Sequence, residues 1–186
     1  MSKIYARSII EEFSIRFDEN IHCLEDLLFM YQYLLHCDYL VLNHMQNYVY
    51  VKHPFSLSHR IHSFESEYCC FVKYQQLLAE MMKVWKIPVG DMVVTVNSML
   101  VPFRRALKSD YQPDRTIPRE MRVKHLKRMI SESRDVFLKY YHPVFKTDKL
   151  GKVLLGFNCY ILYDFYIRLL FRLNIGPVFY GPKHMY

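Results

Sequence analysis

The feature that most constrains this chain is the long apolar run near its end, Leu150 to Ile175, reading LGKVLLGFNCYILYDFYIRLLFRLNI. A run of that length has two homes, a bilayer or the centre of a globule, and Asn158, Asp164, Arg168 and Arg172 interrupt it. A spanning helix needs about 20 predominantly apolar residues, and the longest uncharged stretch, Val153 to Tyr163, holds 11. Each of the three charges would cost about 2.5 to 3.5 kcal/mol near the middle of a span. Their spacing of four places them on one helical stripe, where Asp164 and Arg168 are positioned to pair. Leu155, Leu162, Tyr166, Leu169 and Leu173 form a separate apolar face. The run predicts one bundle helix capped near Thr147 and stopped at Gly176-Pro177, with Asp164 and Arg168 as a buried polar pair and no membrane span.

The rest of the chain reads as helix too. A chain of 186 residues that folds compactly buries roughly 70% of its unfolded surface. Ile4, Ile9, Ile10, Phe13 and Phe17 suit a short first helix, and Asp18, Glu19 and Asn20 a break after it. From Leu24 to Val49 apolar residues recur at alternating spacings of four and three, predicting a long second helix that ends before Pro54. Its stripe is wider than a coiled-coil seam, so a bundle is the expected setting.

A third helix, capped by Ser56 or Ser58 and running to about Lys86, carries two apolar arcs. Phe64, Tyr68, Phe71, Val72, Leu78, Ala79, Met82 and Trp85 share one, and Cys70, Leu77, Met81 and Val84 lie nearly opposite. The second arc is the expected partner-binding surface. Residues 91–101 are ambiguous between strand and helix by periodicity, with helix favoured by Leu100, Phe103 and Leu107 and a kink expected at Pro102. A loop at 109–118 precedes a helix opened by Pro118 and continuing to about Tyr141, with Leu126, Met129, Ile130, Phe137 and Tyr140 inward. The reading is an all-α single-domain bundle of about five to seven helices over residues 1–175, with an irregular tail at 176–186.

Charge divides the functional options. Residues 1–102 carry a net charge of −3, residues 103–139 of +6 and residues 140–186 of +4. Arg104, Arg105, Lys108, Arg119, Arg122, Lys124, Lys127 and Arg128 form a basic patch suited to phosphates or to an acidic protein surface. No recognition-helix, RNP or zinc-finger signature accompanies it. Glycine-rich phosphate loops, nucleophile elbows and HExxH-type metal motifs are missing as well. His59, His62, Cys69 and Cys70 tempt as zinc ligands, but ten helical residues span about 15 Å, and all ligands of one zinc must lie within about 2.3 Å of it. No cofactor or metal is expected.

Five cysteines in no framework spacing and an N-terminus without a leader pattern suggest an intracellular protein, cytoplasmic or nuclear. The runs YYHPVF (Tyr140 to Phe145) and FNCY (Phe157 to Tyr160) resemble the late helices of the Mob kinase-adaptor family. That family's paired zinc ligands have no counterpart here, so no functional residue is carried over. The expected function is a non-enzymatic protein-interaction module, an adaptor or assembly subunit that includes self-association among its options. Nucleic-acid binding through residues 104–128 is the alternative.

Overall fold

The computed structural model describes residues 3–41, 49, 51, 60–112, 116–173 and 175. All regular structure among them is helical: α1 (Arg7–Glu12), α2 (Glu25–Leu34), α3 (Phe64–Val84), α4 (Val89–Ser98), α5 (Leu100–Asp110), α6 (Arg119–Ser133), α7 (Lys146–Gly156) and α8 (Tyr160–Leu173), with a π-helical turn at Arg134–Leu138 continuing α6. The fold is all-α. No helix among the described residues is long and apolar enough to cross a membrane.

The central element is α3, which packs most extensively on α5 and also meets α2, α4, α6 and the π turn. Ser63 caps it by accepting the Ser66 N–H at 3.4 Å, while Ser56 and Ser58 lie outside the described residues. Phe71 of α3 is fully buried in an aromatic knot. Its ring meets Phe103 of α5 at 5.6 Å and Phe137 of the π turn at 5.7 Å, and Phe137 stacks on Tyr141 at 5.1 Å. The π turn inserts an extra residue into the α6 ladder, and Phe137 and Leu138 are buried there. Segment 91–101 is helix on both sides of Met99. Pro102 sits in the first turn of α5, where its missing N–H costs nothing.

Two expected helix lengths are corrected. The long second helix ends at Leu34: the His36 and Cys37 N–H groups close a tight turn on Tyr33 and Leu34, and the Cys37 thiol donates to the Tyr33 carbonyl at 3.4 Å. Tyr39, Leu40 and Val41 beyond it are exposed and non-helical, and residues 42–48 lie outside the described residues. The apolar run at the C-terminus is two helices rather than one. Asn158, in left-handed geometry at φ 59°, turns α7 into α8, a conformation that asparagine tolerates better than most residues. Its side-chain carbonyl accepts from Arg134 and from the Tyr160 hydroxyl. Gly151 permits the close approach of the pair, since a Cβ there would meet Tyr163 Cε2 at 3.2 Å.

A smaller satellite cluster joins α1 to α2. Ile15, Phe29 and Tyr33 are buried there against Tyr5, Ile9 and Ile10, and the Tyr33 hydroxyl accepts the Ala6 N–H at 2.8 Å. A Lys73–Asp18 ion pair links this end of the chain to α3.

Candidate interaction surface

The arc of α3 expected to meet a partner is mostly internal. Cys70, Leu77 and Met81 belong to the main core, Leu77 at 8% exposure, and only Val84 stands out at 52%. The correction has a topological cause. Helix α3 has neighbours on both sides, so its second apolar arc is covered rather than spare. Burial pushes the Cys70 thiol up to about 12 and raises Cys23 and Cys69 too. These thiols are held protonated, the opposite of what a nucleophile needs.

Half of the basic patch serves to neutralise carboxylates. Arg105 clamps Glu67 in the core, donating through Nε at 2.8 Å and Nη2 at 2.7 Å, and Glu67 also accepts the His62 N–H at 3.1 Å. Arg104 pairs with Asp148 of α7 at 2.6 Å. Arg128 makes two 2.9 Å bonds to Glu65 with its guanidinium 4.1 Å above the Tyr68 ring. Arg119, Lys124 and Lys127 remain exposed on α6. Lys108 is half-buried, and that burial, with Arg105 nearby, lowers its pKa.

Asp164 is buried as expected, but its partner is Arg122 rather than Arg168. Arg122 donates to Oδ1 at 2.6 Å through Nε and to Oδ2 at 3.0 Å through Nη2, and the Tyr111 hydroxyl adds a third bond at 2.8 Å. Burial alone would raise the Asp164 pKa. The bonds from Arg122 and Tyr111 outweigh it and leave the carboxyl below its usual range. Arg168 is exposed one turn further along α8. Asp110 and His125 form a second buried pair, with Nδ1 at 2.8 Å and the imidazole stacked 3.6 Å from the Phe64 ring.

Sequence carried a partial signal for these locks. Arg122 falls one turn before Leu126 and two before Met129 on the inward arc of α6, and Glu67 falls between Phe64 and Phe71 on that of α3. A charge on a core arc is a buried pair awaiting a partner. Nothing in the spacing names the partner across 42 residues of chain.

The cavity between α5, α7 and α8 has a volume of about 30 Å³ and is lined by Phe103, Leu107, Tyr163 and the Arg104–Asp148 pair. It is large enough for about one water. The buried Thr147 hydroxyl on its wall has no hydrogen-bond partner among the described residues. Thr147 is thus inside the first turn of α7 and not its cap, which is Phe145. Among the described residues no group of three His, Cys, Asp or Glu side chains converges as a metal site; His59 lies outside them.

What does reach solvent is the outer side of the α7–α8 hairpin. Ile161, Phe165, Leu169 and Leu173 are all exposed, Phe165 at 67%, and they follow one another at i, i+4 along α8 with Leu162 beside them. At 1.5 Å per residue this ridge is about 18 Å long. At 100° per residue Arg168 and Arg172 fall along one of its edges. On α7, Leu150, Val153 and the turn residue Phe157 are exposed too, with Lys146 and Lys149. The hairpin's only acids, Asp148 and Asp164, both face inward in ion pairs. Its outer surface is therefore apolar and cationic, with no carboxylate of its own.

No protein-family model, curated protein or solved structure matches the chain. The two runs that resemble Mob adaptors fall on the connection before α7 and on the α7–α8 turn, mostly outside helices.

Proposed function

We propose that the chain is a non-enzymatic protein-interaction module, an adaptor or assembly subunit, whose docking face is the outer side of α8. The carrying observation is the exposed ridge of Ile161, Phe165, Leu169 and Leu173 on a helix whose opposite face is locked by Asp164 and Arg122. Single exposed apolar residues need no explanation, whereas a contiguous row of them is the usual mark of a binding surface. The raised pKa of Cys23, Cys69 and Cys70 weighs on the same side, since a thiol held protonated is a poor nucleophile. The nucleic-acid alternative keeps, of the eight basic residues, three exposed ones outside any ion pair among the described residues, Arg119, Lys124 and Lys127, and is the weaker reading.

Affinity purification from the source cells, with and without nuclease, tests the proposal when the native chain is compared with Phe165→Glu. Proteins retained by the native chain, resistant to nuclease and lost from a variant with an unchanged melting curve, are the expected result. Identical protein sets from the two chains, or loss of all partners on nuclease treatment, would sink it.

A further inference from the structure

Resting on that reading, we propose that the α8 face receives an amphipathic helix from a partner protein, one whose apolar ridge is edged by carboxylates. The shape comes from the spacing. Ile161, Phe165, Leu169 and Leu173 form an i±4n ridge with grooves on either side, the surface that a second helix packs against by interdigitation. The sign comes from the charges. Arg168 and Arg172 lie along one edge of the ridge, both are exposed, and neither lies within ion-pair distance of a carboxylate among the described residues, Arg168 acting on the buried Asp164 only from further away.

A partner edged with glutamate or aspartate would satisfy both arginines and fix its own direction along the ridge. A second copy fits less well. Packing α8 on α8 brings four arginines together with no exposed hairpin carboxylate to answer them, and like charges across an interface oppose association. An anionic membrane also answers cations, but a bilayer presses on both edges of a surface helix. On α8 itself the arginines line one edge only; the other side carries Tyr166, tied to α7 through its hydroxyl bond to the Thr147 carbonyl at 2.9 Å, and the hairpin's other exposed cations, Lys146 and Lys149, belong to the first turn of α7.

The experiment uses the full chain and synthetic 18-residue helical peptides bearing a leucine i, i+4 ridge, edged with glutamate in one version and lysine in the other. Fluorescence anisotropy should show the glutamate peptide binding at least about tenfold more tightly, with affinity falling as salt rises. Arg168→Glu with Arg172→Glu should invert that preference, and Phe165→Glu should abolish binding of both peptides. Each variant is checked by its thermal melt. Equal affinity for the two peptides, or no binding of either, overturns the acidic-helix inference.

Two further arms separate the rivals. Sedimentation with vesicles of three parts phosphatidylcholine to one of phosphatidylserine, dependent on Phe165 in the absence of glutamate-peptide binding, would assign the face to a membrane. A dimer dispersed by Phe165→Glu would assign it to a second copy. If folded Phe165→Glu changes no peptide, vesicle or self-association readout, the α8 interaction reading falls along with the inference.

Discussion

Helices α3 and α8 are both apolar on two sides, and they meet opposite fates. Helix α3 lies in the middle of the chain with helices before and after it, and α5, α6 and α2 close over both of its arcs. Its one core acid, Glu67, is answered by Arg105. Helix α8 has α6 and α7 beside it, so its inner side closes on Asp164 and Arg122 while its outer ridge stays in water. A two-sided apolar pattern measures how many neighbours a helix would accept; topology decides how many it gets. The difference between demand and supply is what marks a docking face.

The largest expected effect lies on the closed side of α8. Asp164→Ala leaves Arg122 buried without its counter-charge and should destabilise the protein by about 3 to 5 kcal/mol in urea unfolding. Replacing both partners, as Asp164→Leu with Arg122→Met, should recover most of that loss, because apolar substitutes spare the desolvation penalty. A double variant as unstable as the single one would mean that the pair is not the lock described here.

Next comes a direct contrast between the helices. Leu77→Ala on the covered arc of α3 should cost about 3 kcal/mol through lost burial and a residual cavity. Leu169→Ala on the α8 ridge should stay within about 0.5 kcal/mol. Similar costs at the two positions would erase the distinction between a covered and an uncovered face.

Much of this contrast was legible before the structure, and its limits are instructive. The helical class and most of the core faces of α3 and α6 follow from periodicity, as does the polar stripe of Asp164, Arg168 and Arg172, though not the direction in which that stripe points. Periodicity shows that Cys70, Leu77 and Met81 want cover without showing that α3 has neighbours on that side, so it does not tell their buried arc from a free one. The partner of Asp164 is hidden from the sequence for a related reason. An i, i+4 neighbour such as Arg168 is visible in the sequence, but a bidentate clamp from Arg122 depends on how α6 crosses α8. The ends of α2 and α7 are set by a local turn at His36 and by a left-handed Asn158, and the apolar periodicity resumes beyond each of these single polar residues without showing that the chain turns there.

The subtlest test reads the shape of a pH profile rather than a loss of stability, and it bears on how tightly the inner side of α8 is closed. The Asp164 carboxyl is held below its usual range by Arg122 and Tyr111 against the pull of burial. Its contribution is therefore present above the unfolded value near ~3.9 and lost as pH falls through the lower folded value. Asp148 behaves oppositely. Burial raises its pKa, and Arg104 offsets that only in part, so its contribution is greatest below ~3.9 and declines as pH climbs through the folded value. Urea midpoints measured between about pH 2.5 and 6 should show Asp164→Asn flattening the acid-side loss. Asp148→Asn should steepen it. If both substitutions bend the profile the same way, the two carboxylates share one environment, and the inner side of α8 is no better closed than the α7 side of the one-water cavity.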